Sequence, residues 1–316
     1  MAIINLDLLT YTFRLMASVN SICCNGKIHD TESSEAFPEI YLDATGDRRS
    51  QSDSIARSCV ERDLETTGRF FENSLRLFTL DRMRDFSDTL QQQIPDDSDT
   101  TLAEYLCRLL DAESSVEVRV RAEAELEQIL QESNADTTST AEKEALKHNL
   151  QSRVKRKSAI SVLNEILCEN LRRKGVQSSA QWFRGVGGLN RSYGVLLGNV
   201  RGPRNWRYVL TDELLRTLVY LNAVDRYRDN VNDAIPSASI RLDEFMAWLR
   251  KRFGIVIDRP PREFTSTSSR LAAAENFNAF KRRLRQTGFF RGLSDDFNVQ
   301  SLTVSLANHS EDEVSV

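Results

Sequence analysis

From Val60 to Leu90 the chain sets down residues at steps of three and four: Val60, Leu64, Thr67, Phe71, Leu75, Phe78, Arg82, Phe86 and Leu90. This mainly apolar stripe stops ahead of Pro95. Such spacing suits the turn of an α-helix and defeats the two-residue alternation of a half-buried strand. It predicts one long helix, or two broken near Thr79. The 13 glycines and 6 prolines among 316 residues are too few for a turn-rich all-β chain. Charged residues interleaved with leucine favour helix through most of the remainder.

Further helices follow by the same argument. An amphipathic segment covers Leu8 to Ser21, and another helix opens at Thr101, carrying Leu102, Leu106, Leu109 and Leu110. The acidic run before it, PDDSDT from Pro95 to Thr100, lacks the ligand spacing and closing Glu of a calcium loop and reads as a capping turn. Two more helices are expected at 115–132 and 140–174, the second stopped by Gly175. Residues 25–54 are polar and aperiodic and read as a long loop. The first domain is therefore an acidic helical array over 1–175, containing the 25–54 loop.

Beyond Gly175 the texture changes. Tyr193 to Val200, the turn RGPRN, and Trp206 to Leu210 read as a short hairpin. Thr211 caps a helix with Asp212 and Glu213 in its first turn, a second helix runs from Leu242 to Phe253 and stops at Gly254, and a third covers about 268–287 before Gly288. The segments FFRGL, SDDF and NVQSLTV then read as strand, turn and strand. Helix, helix, and a helix leading into a hairpin is the order of a winged-helix domain, whose last helix enters a DNA groove. The fold class expected is mainly α: an N-terminal helical array, then a small α+β winged-helix-like domain over 176–306, then an acidic tail, 307–316.

Charge divides along the same line. Residues 1–150 hold 15 Lys and Arg against 29 Asp and Glu, while 151–316 hold 27 against 17. The net charge of −4 thus conceals a half at −14 that repels polyanions and a half at +10 that attracts them. On the last helix Phe277, Phe280 and Leu284 share one face, whereas Asn278, Lys281, Arg282 and Arg285 recur on the other. Those residue types can neutralise phosphates and reach base edges. Arg250 and Lys251 on the preceding helix, Arg291 in the expected wing, and the upstream cluster Arg153, Lys155, Arg156 and Lys157 extend the nucleic-acid-binding set.

Other chemistries lack their parts. His29, His148 and His309 lie in polar contexts without a matched nucleophile or acid, so triads and zinc hydrolases are not expected. GVGGLN (Gly185 to Asn190) has no GK[ST] and reads as a connecting turn. The stretch from Asp258 to Glu263 offers acids, but no lysine completes a nuclease motif and Pro260 and Pro261 break the strand. No catalytic residue, metal or cofactor is expected. The five cysteines, Cys23, Cys24, Cys59, Cys107 and Cys168, are scattered as reduced thiols of a cytoplasmic protein are. Asp7 and Arg14 interrupt the apolar N-terminal run, and no later run approaches the roughly 18 apolar residues of a membrane span.

The run from YVLTDELLRTLVYL through LDEFMAWLRKRFGIVID to LRQTGFFRGLSDDF resembles accessory proteins of bacterial antiphage gene clusters. The resemblance implies a component working inside a multi-protein system and assigns no residue a role. The reading is a non-enzymatic protein whose basic half binds nucleic acid, double-stranded DNA above all, and whose acidic half meets a protein partner, with a homo-oligomer open. The alternatives are a protein-only adaptor, its basic half on an acidic partner or on a second copy, and a nuclease with an unrecognised active site.

Overall fold

The computed structural model describes residues 1–26, 38–95, 100–136, 148–149, 152–154, 156–229, 238–290 and 301–304. It is mostly helical, with a few short strands. In order the elements are α1 (Ala2–Asn25), β1 (Ile40–Tyr41), α2 (Gln51–Asp85), α3 (Asp88–Gln93), α4 (Leu102–Ala112), α5 (Val116–Asp136) and α6 (Ala159–Val186). They continue as β2 (Leu196–Leu197), β3 (Arg207–Tyr208), α7 (Asp212–Asp229), β4 (Ala238–Arg241), α8 (Leu242–Phe253), β5 (Ile255–Val256), α9 (Thr267–Gln286) and β6 (Ser301–Val304). By contacts the chain forms two units: Met1–Arg14, Glu32–Glu65 and Ala180–Val316 make the first, Leu15–Thr31 and Thr66–Ser179 the second.

The second unit is all helix. Leu80, Met83, Leu90, Leu109, Val118, Ala122, Ile160 and Leu163 close its core. Thr101 opens α4 with a complete capping box: its hydroxyl accepts from the Glu104 amide while the Glu104 carboxylate accepts from the Thr101 amide. The helix α2 runs unbroken through Thr79, whose hydroxyl bonds back to the Leu75 carbonyl at 2.8 Å. Its apolar stripe, stepping mostly by four, overshoots the 3.6-residue turn and winds around the helix, leaving Phe78 and Phe86 exposed while Leu77, Leu80 and Met83 are buried. Gly175 does not stop a helix, contrary to expectation. It lies inside α6, where a Cβ would stand 2.3 Å from the Phe71 ring, so glycine there answers to packing and not to a left-handed cap.

The first unit joins pieces from both ends of the chain. The expected long loop is corrected where it is described: Ile40, Tyr41, Leu42, Asp43 and Ala44 are buried. There β1 pairs in parallel with β5, and Asp43 bridges Val209 just past β3, which is antiparallel to β2. Residues 27–37 of that loop lie outside the described set. A second small sheet sets β4 antiparallel to β6, with Ala238 opposite Val304 and Arg241 opposite Ser301. Phe290 bridges Leu302 from the other side, so β6 lies between β4 and the chain leaving α9. Strand β4 was not expected, because ASIR is too short to show an alternation. Gly254 ends α8 at φ 68°, a left-handed conformation that glycine adopts without strain.

By length and composition α1 could cross a membrane. Its Leu6, Leu9, Phe13, Met16, Val19 and Ile22 are buried, while Ile4, Leu8, Tyr11 and Leu15 are exposed.

Candidate nucleic-acid interface

Helix α9 begins at Ser266, whose hydroxyl caps the Ser269 amide, and buries Ala272, Ala273, Asn276, Ala279, Phe280 and Leu284. Two polar side chains fix its inner face. Asn276, fully buried, accepts from the Ala44 amide at 2.7 Å and donates to the carbonyls of Leu42 and Ile257 at 2.9 and 3.1 Å. Arg283 donates to the Ala44 and Leu210 carbonyls, both at 2.7 Å, and to Asp212 at 3.1 Å. Neither residue carried a site expectation. Their signal in the sequence is negative: each is a polar residue on the apolar face of an amphipathic helix.

The outer face holds what the charge pattern selected. Asn278, Arg282 and Arg285 are exposed and Lys281 is half-buried. Lys281 Nζ stands 5.0 Å from the centre of the Phe277 ring, and the Arg285 guanidinium 5.3 Å from that of Phe290. Among the described residues no carboxylate lies within ion-pair distance of Lys281, Arg282 or Arg285, in contrast to Arg283 and Asp212 on the inner side. Aromatic rings thus stand against the charged heads of two of these cations, a contact that attracts them without neutralising their charge.

The remaining candidates fall in different surroundings. Arg250 pairs with Asp258 at 3.0 Å, and with Lys251 it lines a pocket in the first unit. In the second unit Arg153 bonds Glu165 and Glu169, both at 2.9 Å, and Lys157 bonds Glu165, so those two cations are already neutralised. Arg156 is exposed, while Lys155 and Arg291 lie outside the described residues. The turn at Gly187 and Gly188 is held by its own backbone: the Val195 and Leu196 amides both donate to the Gly187 carbonyl. A Cβ on Gly194 would fall 1.9 Å from the Gly188 carbonyl oxygen, so close backbone contact explains these glycines without a phosphate.

A buried ionic network in the first unit had no legible signal at all. Asp63 is fully buried, bonded by Arg62 at 2.8 Å and by the Tyr208 hydroxyl at 2.6 Å. Burial raises its carboxyl above the usual range against the pull of Arg62, and burial together with the adjoining carboxylate pushes the Tyr208 phenol far up. Nearby Asp53 takes Arg207 at 2.7 Å and Arg57 at 2.6 Å. Every cation here has an anion, and the network ties residues 53–63 to β3, the arrangement of a structural lock. Among the described residues, no group of three or more His, Cys, Asp or Glu is placed to hold a metal ion.

The chain is helix-rich, with short strands and a basic face on α9 that has no ion-pair partner among the described residues. Over residues 1–304 it is matched by the family described as methylation-associated defense system protein MAD7, and it belongs to that family. No curated protein and no solved structure matches it.

Proposed function

We propose that the protein is the non-enzymatic DNA-contacting component of a bacterial, cytoplasmic defence system, with its C-terminal elements acting as a winged-helix module. One observation carries the reading: the outward row Asn278, Lys281, Arg282 and Arg285 on α9, whose three cations have no carboxylate partner among the described residues, in the same unit as the β4–β6 sheet. The order α7, β4, α8, α9, Phe290, β6, with β6 central, matches the helix and strand sequence of a winged helix. In that reading α9 enters the major groove, Lys281, Arg282 and Arg285 neutralise phosphates or reach guanine edges, and Asn278 reads adenine. The expected wing, with Arg291, lies outside the described residues. Family membership supports the defence context. Free cysteines support a reducing compartment. The acidic, helical unit, which exposes Leu102, Val116 and Val120, suits a protein partner.

The test is a fluorescence-anisotropy titration of a short labelled duplex with the full chain, at low and moderate salt, beside a Lys281→Ala, Arg282→Ala, Arg285→Ala triple variant. Salt-sensitive binding that the variant loses is the expected result. No binding at low salt would overturn the DNA reading and put the protein-only adaptor first.

A further inference from the structure

From Asn170 to Thr211 the sequence holds no Asp or Glu, although these acids make up 46 of the 316 residues. The part of that stretch within the first unit, 180–211, carries Arg184, Arg191, Arg201, Arg204 and Arg207. Here the chain leaves α6, turns through Gly187 and Gly194, and runs along β2, the turn RGPRN and β3. One cation points inward: Arg207, on β3, is buried against Asp53 at 2.7 Å. Arg184, Arg191, Arg201 and Arg204 are exposed, and their side chains have no ion-pair or hydrogen-bond partner among the described residues. The backbone beneath them is fixed. The Asn190 side chain donates to the Gly198 carbonyl at 2.9 Å and accepts from the Gly198 amide at 3.0 Å, tying the first turn to the end of β2. The Trp206 indole donates to the Asn199 carbonyl at 2.7 Å, and the Asn199 side chain accepts from the Arg201 amide at 2.9 Å. The Leu189 amide donates to the Arg184 carbonyl at 3.1 Å and the Arg191 amide to that of Gly188 at 2.9 Å. Four like charges therefore share one hydrogen-bonded framework, and only solvent, salt or a polyanion relieves their repulsion.

The rest of the surface says which polyanion. Among residues 180–211 the one large apolar side chain that is exposed is Val200; Phe183, Trp206 and Tyr208 are buried. The hairpin tip thus offers no ring to anchor a protein partner, whose interfaces centre on apolar and aromatic side chains, and none on which the bases of a single strand could stack. Interfaces with duplex DNA are polar and strongly positive, and phosphate oxygens accept from Arg, Asn and Ser alike. Exposed Asn190, Ser192, Asn199 and Asn205 stand in sequence among the four arginines. We infer that the β2–β3 hairpin is a second contact with duplex DNA, at which Arg201 and Arg204 of the RGPRN turn, with Arg184 and Arg191 on the adjoining turn, neutralise backbone phosphates without reading bases. The inference rests on the reading that the protein binds DNA, and not on α9 as the contact.

The test is an anisotropy titration of the full chain against two labelled duplexes of about 30 base pairs and unrelated sequence, over a range of salt. An Arg201→Ala, Arg204→Ala double variant should bind both duplexes more weakly by a similar factor, about tenfold, and its salt slope should fall by about 1.8. Neither side chain makes a bond in the protein, so the melting temperature should not move. Arg201→Lys, Arg204→Lys keeps the charge and should keep most of the slope. An unchanged slope and affinity in the alanine variant, or a lysine variant as weak as the alanine one, would overturn the inference. So would displacement of the labelled duplex by poly-L-glutamate as readily as by unlabelled duplex at equal charge, which would point to an acidic protein instead. The Lys281, Arg282, Arg285 triple variant separates the two readings. Binding kept by that variant and lost by the hairpin variant supports the inference and removes α9 as the contact, and the opposite pattern overturns the inference alone. No binding by the parent chain at low salt would overturn both.

Discussion

Replacing Asn276 by leucine tests whether α9 is held by a polar clamp or merely by apolar packing. The asparagine is fully buried, and its three bonds reach the Ala44 amide and the carbonyls of Leu42 and Ile257. Leucine has nearly the same volume, so the core stays filled, but a buried amide and two carbonyls lose their partner. A buried group left unsatisfied costs about 1–3 kcal/mol, and the gain from burying an apolar side chain offsets about 1 kcal/mol of the total. With each of the three losses taken near the low end of that range, the net loss is about 3 kcal/mol, a large part of an ordinary domain's stability. For a unit of this size that lowers the melting temperature by about 6–12 °C, read by differential scanning calorimetry. A fall of less than about 2 °C would refute the reasoning. Asn276→Asp adds a check of sign. A carboxylate facing two carbonyls in the core has its pKa raised, so any stability it retains is present at acid pH and lost as pH rises through that value. This variant should be less stable at pH 8 than at pH 5.

Further outcomes follow from the same contacts. Each cation removed from the outer face of α9 should lower the salt slope of DNA binding by about 0.9, so the Lys281, Arg282, Arg285 triple alanine variant should reduce it by about 2.7 in titrations between low and moderate salt. Tyr208→Phe removes the hydroxyl that bonds Asp63 at 2.6 Å and should destabilise the first unit by about 1.5–3 kcal/mol in urea unfolding. Burial pushes the Cys59 thiol up to about 12, so in the folded protein it should resist alkylation at pH 8 while exposed Cys24 reacts, as mass spectrometry would show. The raised thiol and the raised phenols of Tyr41 and Tyr208 carry a linked consequence: stability is held below the ordinary ionisation range and lost as pH climbs from about 9 upward. A melting temperature that does not fall between pH 9 and 11 would contradict it.

Local pattern was enough to find most helices. Capping at Thr101, Thr211 and Ser266, and the glycines ending α8 and α9, act within one turn of chain and are readable without the rest of the protein. The outer face of α9 was legible for the same reason, since Asn278, Lys281, Arg282 and Arg285 recur at the helical period and opposite charge does not intervene. Local pattern failed where a distant partner sets the outcome. Gly175 looks like a stop signal and serves as a gap for Phe71. Residues 38–44 look like loop because their neighbours in sequence are polar, yet β5, Val209 and Asn276 bury them.

The sequence by itself determined the helical character of the chain, its division of charge, and which cations share the exposed side of α9, because periodicity and net charge are sums over near neighbours. Tertiary structure alone decided which cations are free to act. Arg153 and Lys157 meet Glu165, Arg283 turns inward to Asp212 and two carbonyls, and Arg250 and Lys251 gather with Arg14, Arg259 and Arg262 around a pocket. The physical reason is range: an ion pair forms over a few ångströms of space, and Arg259 and Arg262 come within that distance of Glu39 only when the chain has folded.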